Sequence, residues 1–173
     1  ESGAGFVGML THLRIKNLAL VADLTLELGA GFNAITGETG AGKSILIGAL
    51  NLLLGQRADR TLLRAGADSC SVEGVVDVSR VKAPLASFLA ENGLEPCEGG
   101  ELLLKRVFTA TGTNRQFING SPTTLQVLSE LGEWLVDIHG PHDHQSLFQT
   151  ARQLDLLDAH AGLADAREAF GRV

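Results

Sequence analysis

Aromatic side chains are scarce in this sequence: 5% of its 173 residues, with one Trp, seven Phe and no Tyr. Its core must therefore be aliphatic. Cysteine is nearly absent too. Cys70 and Cys97 stand alone, in no metal-like or redox-like spacing, which excludes a disulfide framework and reads as two thiols in a reducing compartment. No apolar run approaches the roughly 18–20 residues that a membrane-spanning helix needs. The opening "ESGAGFVG" has no basic segment followed by an apolar one, so it does not read as a signal peptide. Residues 1–8 precede the lone Met9 and read as a leader or cloning remnant without chemistry. A net charge of −6 argues against a surface that is one large nucleic-acid clamp, while leaving room for a local basic patch. What is plentiful is aliphatic: 45% of residues are hydrophobic, enough for one domain with a proper core, and the composition reads as soluble and cytoplasmic.

The apolar residues fall into two periods. "THLRIKNLALVADLTLELGAG" alternates as an antiparallel hairpin, with Leu13 and Ile15 on one arm and Leu24, Leu26 and Leu28 on the other. "GFNAIT" reads as a short strand. From Lys43 to Leu54 the spacing becomes helical through Ile45, Leu46, Ala49, Leu50 and Leu53, and Gly55 is the expected stop. Further strands are expected at "CSVEGVVDV", "ELLLKRVF" and "RQFING", with Asn119-Gly120 making a tight turn. "APLASFLAENG" and "SPTTLQVLSELG" read as helices, the second capped by Ser121, and "EWLVDIHG" as a buried strand. From about Thr150 the chain turns helical through Leu154, Leu157, Ala161, Ala166, Phe170 and Val173. That helix has no stop signal and no partner for its apolar stripe.

One segment carries chemistry without ambiguity. Gly37-Glu38-Thr39-Gly40-Ala41-Gly42-Lys43-Ser44 fits G-x-x-x-x-G-K-[ST] at every fixed position, between an expected strand and an expected helix. The glycines let backbone N–H groups converge on phosphate oxygens where side chains would block them. Lys43 reaches the β- and γ-phosphates, the Ser44 hydroxyl is a Mg²⁺ ligand, and Ile45 continues the helix whose dipole favours the anion. This is an ATP site.

Hydrolysis requires more than a cradle. A carboxylate at the end of an apolar strand must orient the metal, and a polar group must place water in line. No run of four apolar residues ends in Asp-Glu. Asp137, after Trp134-Leu135-Val136, comes nearest but has no second acid behind it. The catalytic half of the site is missing from the sequence.

A resemblance accounts for the gap. "LRIKNLALVADLTLELGAGFNAITGETGAGKSILIGALNLLLGQRAD" and "LLKRVFTATGTNRQFINGSPTTLQVLSELGEWLVDIHGPHDHQSL" resemble, in order, the N-terminus of the RecN family, a bacterial repair branch of the SMC-like proteins. The likeness runs over about residues 10–170; "ITGETGAGKS", "FING" and "DIHGxHxHQ" carry it. It implies an α/β P-loop NTPase of ABC/SMC head type, a mixed sheet with an antiparallel β-subdomain, and a C-terminal helix that begins a coiled coil. Residues 9–162 would form the N-terminal lobe of the ATPase head and residues 163–173 the start of the coiled coil. The signature and acidic motifs would lie on a C-terminal lobe, and two heads would sandwich two ATP molecules. The family also implies DNA as a partner, no membrane, recombinational repair of double-strand breaks, and a cytoplasmic, nucleoid-associated location.

Two further groups of residues are assigned by this resemblance. "DIHGPHDHQSLF" gathers His139, His142, Asp143, His144 and Gln145, which by themselves fit a metal site or a solvated loop. In the family this is the loop whose glutamine meets Mg²⁺ and the attacking water. Pro141 stands where relatives carry a first glutamine, so either Gln145 takes the role, or His142 and Asp143 substitute, or the loop assembles only on head closure. Arg57, with Arg60 and Arg64, follows the phosphate-loop helix where SMC-like heads bring an arginine to nucleotide or DNA. Lys105, Arg106 and Arg115 on the expected hairpin would extend a phosphate-binding stripe. Two other readings compete: a self-contained small P-loop kinase with its own acceptor base, and a non-enzymatic interaction module that merely keeps the loop.

Overall fold

The computed structural model describes residues 8–36, 42–81 and 84–136. In chain order these form β1 (Met9–Leu18), β2 (Val21–Glu27), α1 (Gly42–Leu53), β3 (Ser69–Asp77), α2 (Leu85–Glu91), β4 (Glu101–Thr109), β5 (Asn114–Ile118), β6 (Ser121–Thr123) and α3 (Leu125–Leu135). The strands make one six-stranded sheet in the order β2-β1-β3-β4-β5-β6, antiparallel at every pairing.

Alternation decides which face is covered. Leu13 and Ile15 on β1, Cys70, Val72 and Val76 on β3, Leu102, Leu104 and Phe108 on β4, and Ile118 on β5 are all buried. Their neighbours His12, Arg14, Glu73, Lys105 and Arg115 lie on the other face, because successive side chains point to opposite sides. On that open face Lys105 Nζ meets Glu73 Oε1 at 2.8 Å and Arg14 Nη2 meets Asp23 Oδ2 at 3.3 Å. Such exposed pairs contribute about 0–1 kcal/mol each. Two irregularities on β1 adjust the pattern. A register shift lies between Leu10 and His12, and Asn17, at φ 54°, turns the strand so that Leu18 is buried out of step with Ile15.

The helices close the inner face. α1 buries Leu46, Ala49, Leu52 and Leu53, one stripe at helical spacing. α3 contributes Leu128, Leu131 and Leu135, and α2 adds Leu85, Phe88 and Leu89. Each buried leucine stabilises by about 2 kcal/mol relative to exposure. Phe88 of α2 stands edge-on to Trp134 of α3, with ring centroids 4.8 Å apart. Two of the chain's eight aromatics thus sit where two helices meet.

The hairpin β1–β2, strands β3, β4 and β5, helix α1 with its Gly55 stop (φ 91°), helix α2 and the Asn119-Gly120 turn all form where the patterns place them. Three expectations are corrected. "GFNAIT" is not a strand: residues 31–36 are exposed and pair with no described strand. Ser121 does not cap α3; it opens β6, and Thr124 Oγ1 accepts from Val127 N instead, because the turn at Gly120 sends three more residues back along β5. Glu133, Trp134 and Leu135 are the last turn of α3 rather than strand, since Leu135 is needed on the helix stripe that starts with Leu128. Asp137 and the helix expected after Thr150 lie outside the described residues.

α1 and α3 approach within backbone contact. A Cβ on Gly55 would fall 2.6 Å from Ser129 Cα, and one on Gly132 would fall 2.9 Å from the Leu54 carbonyl oxygen. Gly55→Ala combines this clash with a left-handed backbone and is expected to lose more than about 2 kcal/mol. Gly66→Ala meets the same backbone penalty at φ 79° but open space, and is expected to lose only about 1 kcal/mol. Urea unfolding of the two variants checks the order; equal losses would mean the helix–helix approach is not tight.

Candidate phosphate site at the start of the first helix

Three residues of the phosphate motif open α1. Gly42, Lys43 and Ser44 are exposed at its first turn, while Leu46 and Ala49 on the next turn are buried against the sheet. Ile45 is half-buried between the two environments. No acidic side chain stands in that first turn, so the positive end of the helix dipole is left uncompensated by the helix's own residues. Backbone N–H groups at such an end have no intrahelical acceptor, and an anion satisfies them. Gly37, Glu38, Thr39, Gly40 and Ala41 lie outside the described residues.

The approach to the loop is shaped by a residue that pattern reading passed over. Asn33 Oδ1 accepts from Gly29 N at 3.1 Å, and its Nδ2 donates to Gly29 O at 2.8 Å and to Gly31 O at 3.3 Å. With Gly31 at φ 88°, this amide folds the chain between β2 and the loop. An Asn two residues after such a Gly was the available signal.

The arginines divide. Arg57 is exposed just past the far end of α1, about 18 Å from the helix start given 12 residues at 1.5 Å each. Arg60 begins a 3-10 turn (Arg60–Leu62) capped by Asp59, and its guanidinium lies over Gly112 in the β4–β5 turn. The hydrogen bond from Thr61 N holds the Asp59 carboxyl below its ordinary pKa. Arg64 Nη1 donates to the Leu20 carbonyl at 2.6 Å, and Arg64 N to Asn17 O at 3.0 Å, so this residue ties down the β1–β2 turn. The stripe expected from Lys105, Arg106 and Arg115 is corrected by strand parity. Lys105 and Arg115 are outward; Arg106 is on the inner face with no exposed surface.

Of the described side chains in this first turn, the Ser44 hydroxyl is the one that could serve a Mg²⁺ ion. Among the described residues no three His, Cys, Asp or Glu side chains gather as a metal site. A single hydroxyl fits an ion that keeps its waters and is held chiefly by phosphate oxygens. His142 and Gln145, with the rest of the histidine loop, lie outside the described residues. Cysteine chemistry has no place at this site. Burial pushes the Cys70 thiol up to about 12 and raises Cys97 as well, the latter partly offset by the donor Asn119 Nδ2.

The comparisons with known proteins extend this picture. The AAA domain family matches residues 12–82, which span β1 to β3 with the loop and α1 between them. The Smc head domain with coiled coil and joint from Pyrococcus yayanosii superposes with a TM-score of 0.63 at 18% identity, over 95% of this chain and 34% of that one. The recombination mediator protein RecF of the RecFOR pathway gives a TM-score of 0.60 at 21% identity, over 94% of this chain and 40% of that one. The fold is that of an SMC/RecF-type P-loop ATPase head. In sequence, the chain is 45% identical to the DNA repair protein RecN of Vibrio cholerae and 40% identical to that of Xylella fastidiosa strain 9a5c, in each case over 93% of its length. The chain thus resembles RecN proteins over nearly all of its own length, and it spans 28% of the length of these two relatives.

At pH 8 the folded protein is expected to leave Cys70 unalkylated by iodoacetamide while Cys97 reacts slowly and both react in denaturant. Mass spectrometry of the labelled chain reads the order; fast labelling of Cys70 would mean that the inner sheet face is not covered.

Proposed function

We propose that this chain is the ATP-binding N-terminal lobe of an SMC-like ATPase head that acts in recombinational repair of DNA double-strand breaks. The observation that carries the reading is the complete "GETGAGKS" motif running into α1, whose first turn presents Gly42, Lys43 and Ser44 to solvent. In this reading Gly37 to Ala41 wrap the β-phosphate with backbone N–H groups, and the Lys43 ammonium neutralises charge on the β- and γ-phosphates. Ser44 holds Mg²⁺, which when bound draws charge from the phosphate oxygens. Gln145, or His142 with Asp143, places the attacking water from the segment that follows α3 in sequence. Arg57, one helix length away from the loop, serves a DNA phosphate or a nucleotide held by a second head.

The exposed apolar surface supports a missing partner lobe. Phe32 is 95% exposed, Ile35 51% and Ile47 on α1 45%. Residues 31–36 carry strand-like composition without a strand partner among the described residues. A C-terminal lobe bringing strands and the acidic motif would cover that surface and complete the metal site, with residues 163–173 starting the coiled coil between the lobes. Two such heads would close on two nucleotides, and hydrolysis would release them, because ATP binds the closed pair more tightly than the open one. DNA, a second head and a nucleoid-associated cytoplasmic location follow from the same reading. A self-contained kinase draws no support from relatives that are RecN proteins or from neighbours that are SMC and RecF heads.

ATP hydrolysis by this chain, alone and mixed with the C-terminal segment of its gene product, tests the proposal. Turnover is expected only in the mixture and is expected to vanish with Lys43→Ala. Lys43-dependent turnover by the chain alone would overturn the split-head reading and reopen the kinase.

A further inference from the structure

The one fully buried charge among the described residues is a guanidinium, and it does not face the phosphate site. Arg106 has no exposed surface and sits on the inner face of β4 between Leu104 and Phe108. Its Nη1 donates to the carbonyl oxygens of Leu52, at 2.8 Å, and of Gln56. Its Nη2 donates to Asn114 Oδ1 at 3.3 Å, at the start of β5. Leu52 and Gln56 bracket the C-terminal end of α1, where the Leu52 carbonyl also accepts from Gly55 N at 3.3 Å and the helix dipole is negative. α1 has no basic residue of its own in its last turn.

Burying a charge costs several kcal/mol, and an apolar residue of similar volume often stabilises as well or better. Packing alone therefore does not explain an arginine here. The fork does something that an aliphatic side chain cannot: it fixes how far α1 slides along the sheet. Aliphatic contacts tolerate small shifts, but two hydrogen bonds onto named carbonyls do not. The same end is gripped from the other side by α3, through the close approaches at Gly55 and Gly132. The opposite end, carrying Lys43 and Ser44, is exposed. A helix is stiff along its axis, so a displacement at Leu52 is passed whole to Lys43.

We infer that Arg106 is a positioning residue for the phosphate loop, setting the axial position of α1 and hence where Lys43 and Ser44 meet the phosphates. Asn114 orients the guanidinium and links it to the β4–β5 hairpin. The inference rests on the reading of the loop as an ATP site and adds to it a residue on a different strand, remote from the ligand. Displacements of about 1 Å at a reacting group cost up to two orders of magnitude, so small slips matter.

The test uses the full-length protein and measures ATP affinity by equilibrium titration with a fluorescent ATP analogue, beside Tm without nucleotide. Arg106→Lys keeps the charge but loses the fork and is expected to weaken ATP binding about ten-fold while the protein stays folded. Asn114→Ala, at an exposed position, is expected to shift affinity the same way by a smaller factor, and it decides the matter if Arg106→Lys does not fold. Glu101→Gln, exposed at the start of β4, is expected to leave affinity unchanged. A lowered Tm with affinity within about two-fold of wild type in both Arg106→Lys and Asn114→Ala would reduce Arg106 to a stability element and overturn the inference. ATP binding that is absent in the wild type, or indifferent to Lys43→Ala, would overturn the loop reading and this inference together.

Discussion

One aliphatic sheet face has to be covered, and the position of α1 follows from that need. β1, β3 and β4 present Leu13, Ile15, Val72, Val76, Leu102 and Leu104 on the same side. Leaving such a surface in water would cost about 25 cal/mol for each Å². α1 has four buried residues on one stripe and lies across those three strands. The phosphate motif is the start of that helix, so the burial that stabilises the lobe also delivers Lys43 and Ser44 to solvent. Binding chemistry and core packing share one element.

This sharing explains where the structure spends its unusual features. Gly55 and Gly132 sit where α1 and α3 touch backbone to backbone, and a buried guanidinium meets the carbonyls at the same end of α1. These are features of a helix held at one end with its other end presented to solvent. The surface around the presented end is different in kind. Phe32, Ile35 and Ile47 are exposed there or in the segment leading to it, and that apolar surface suits a covering lobe better than water.

The errors of pattern reading have one source. "GFNAIT" has strand composition, yet a strand is made by its neighbour's hydrogen bonds, and none of the described strands pairs with it. "EWLVDIHG" has the pattern of a buried strand. Its first three residues instead complete the stripe of α3, a choice that short apolar runs do not settle from spacing alone. Lys105-Arg106 reads as a basic pair, but adjacent strand residues point to opposite faces. The outward charge and the charge that meets the end of α1 are consecutive in sequence and separated by the sheet.

By itself the sequence determined the elements that rest on local rules. Alternation made β1 to β5, helical spacing made α1, glycine and asparagine at positive φ made the stops and turns, and a contiguous motif named the phosphate site. Contiguity is why the candidate was legible, since every fixed position of the motif lies within eight residues. Only the tertiary structure decided which cations are exposed, which apolar segment is left uncovered, and that Arg106 reaches Leu52 and Gln56 from 50 or more residues away. Those outcomes depend on which face of a strand meets which end of a helix, and no local pattern encodes a contact between segments so far apart.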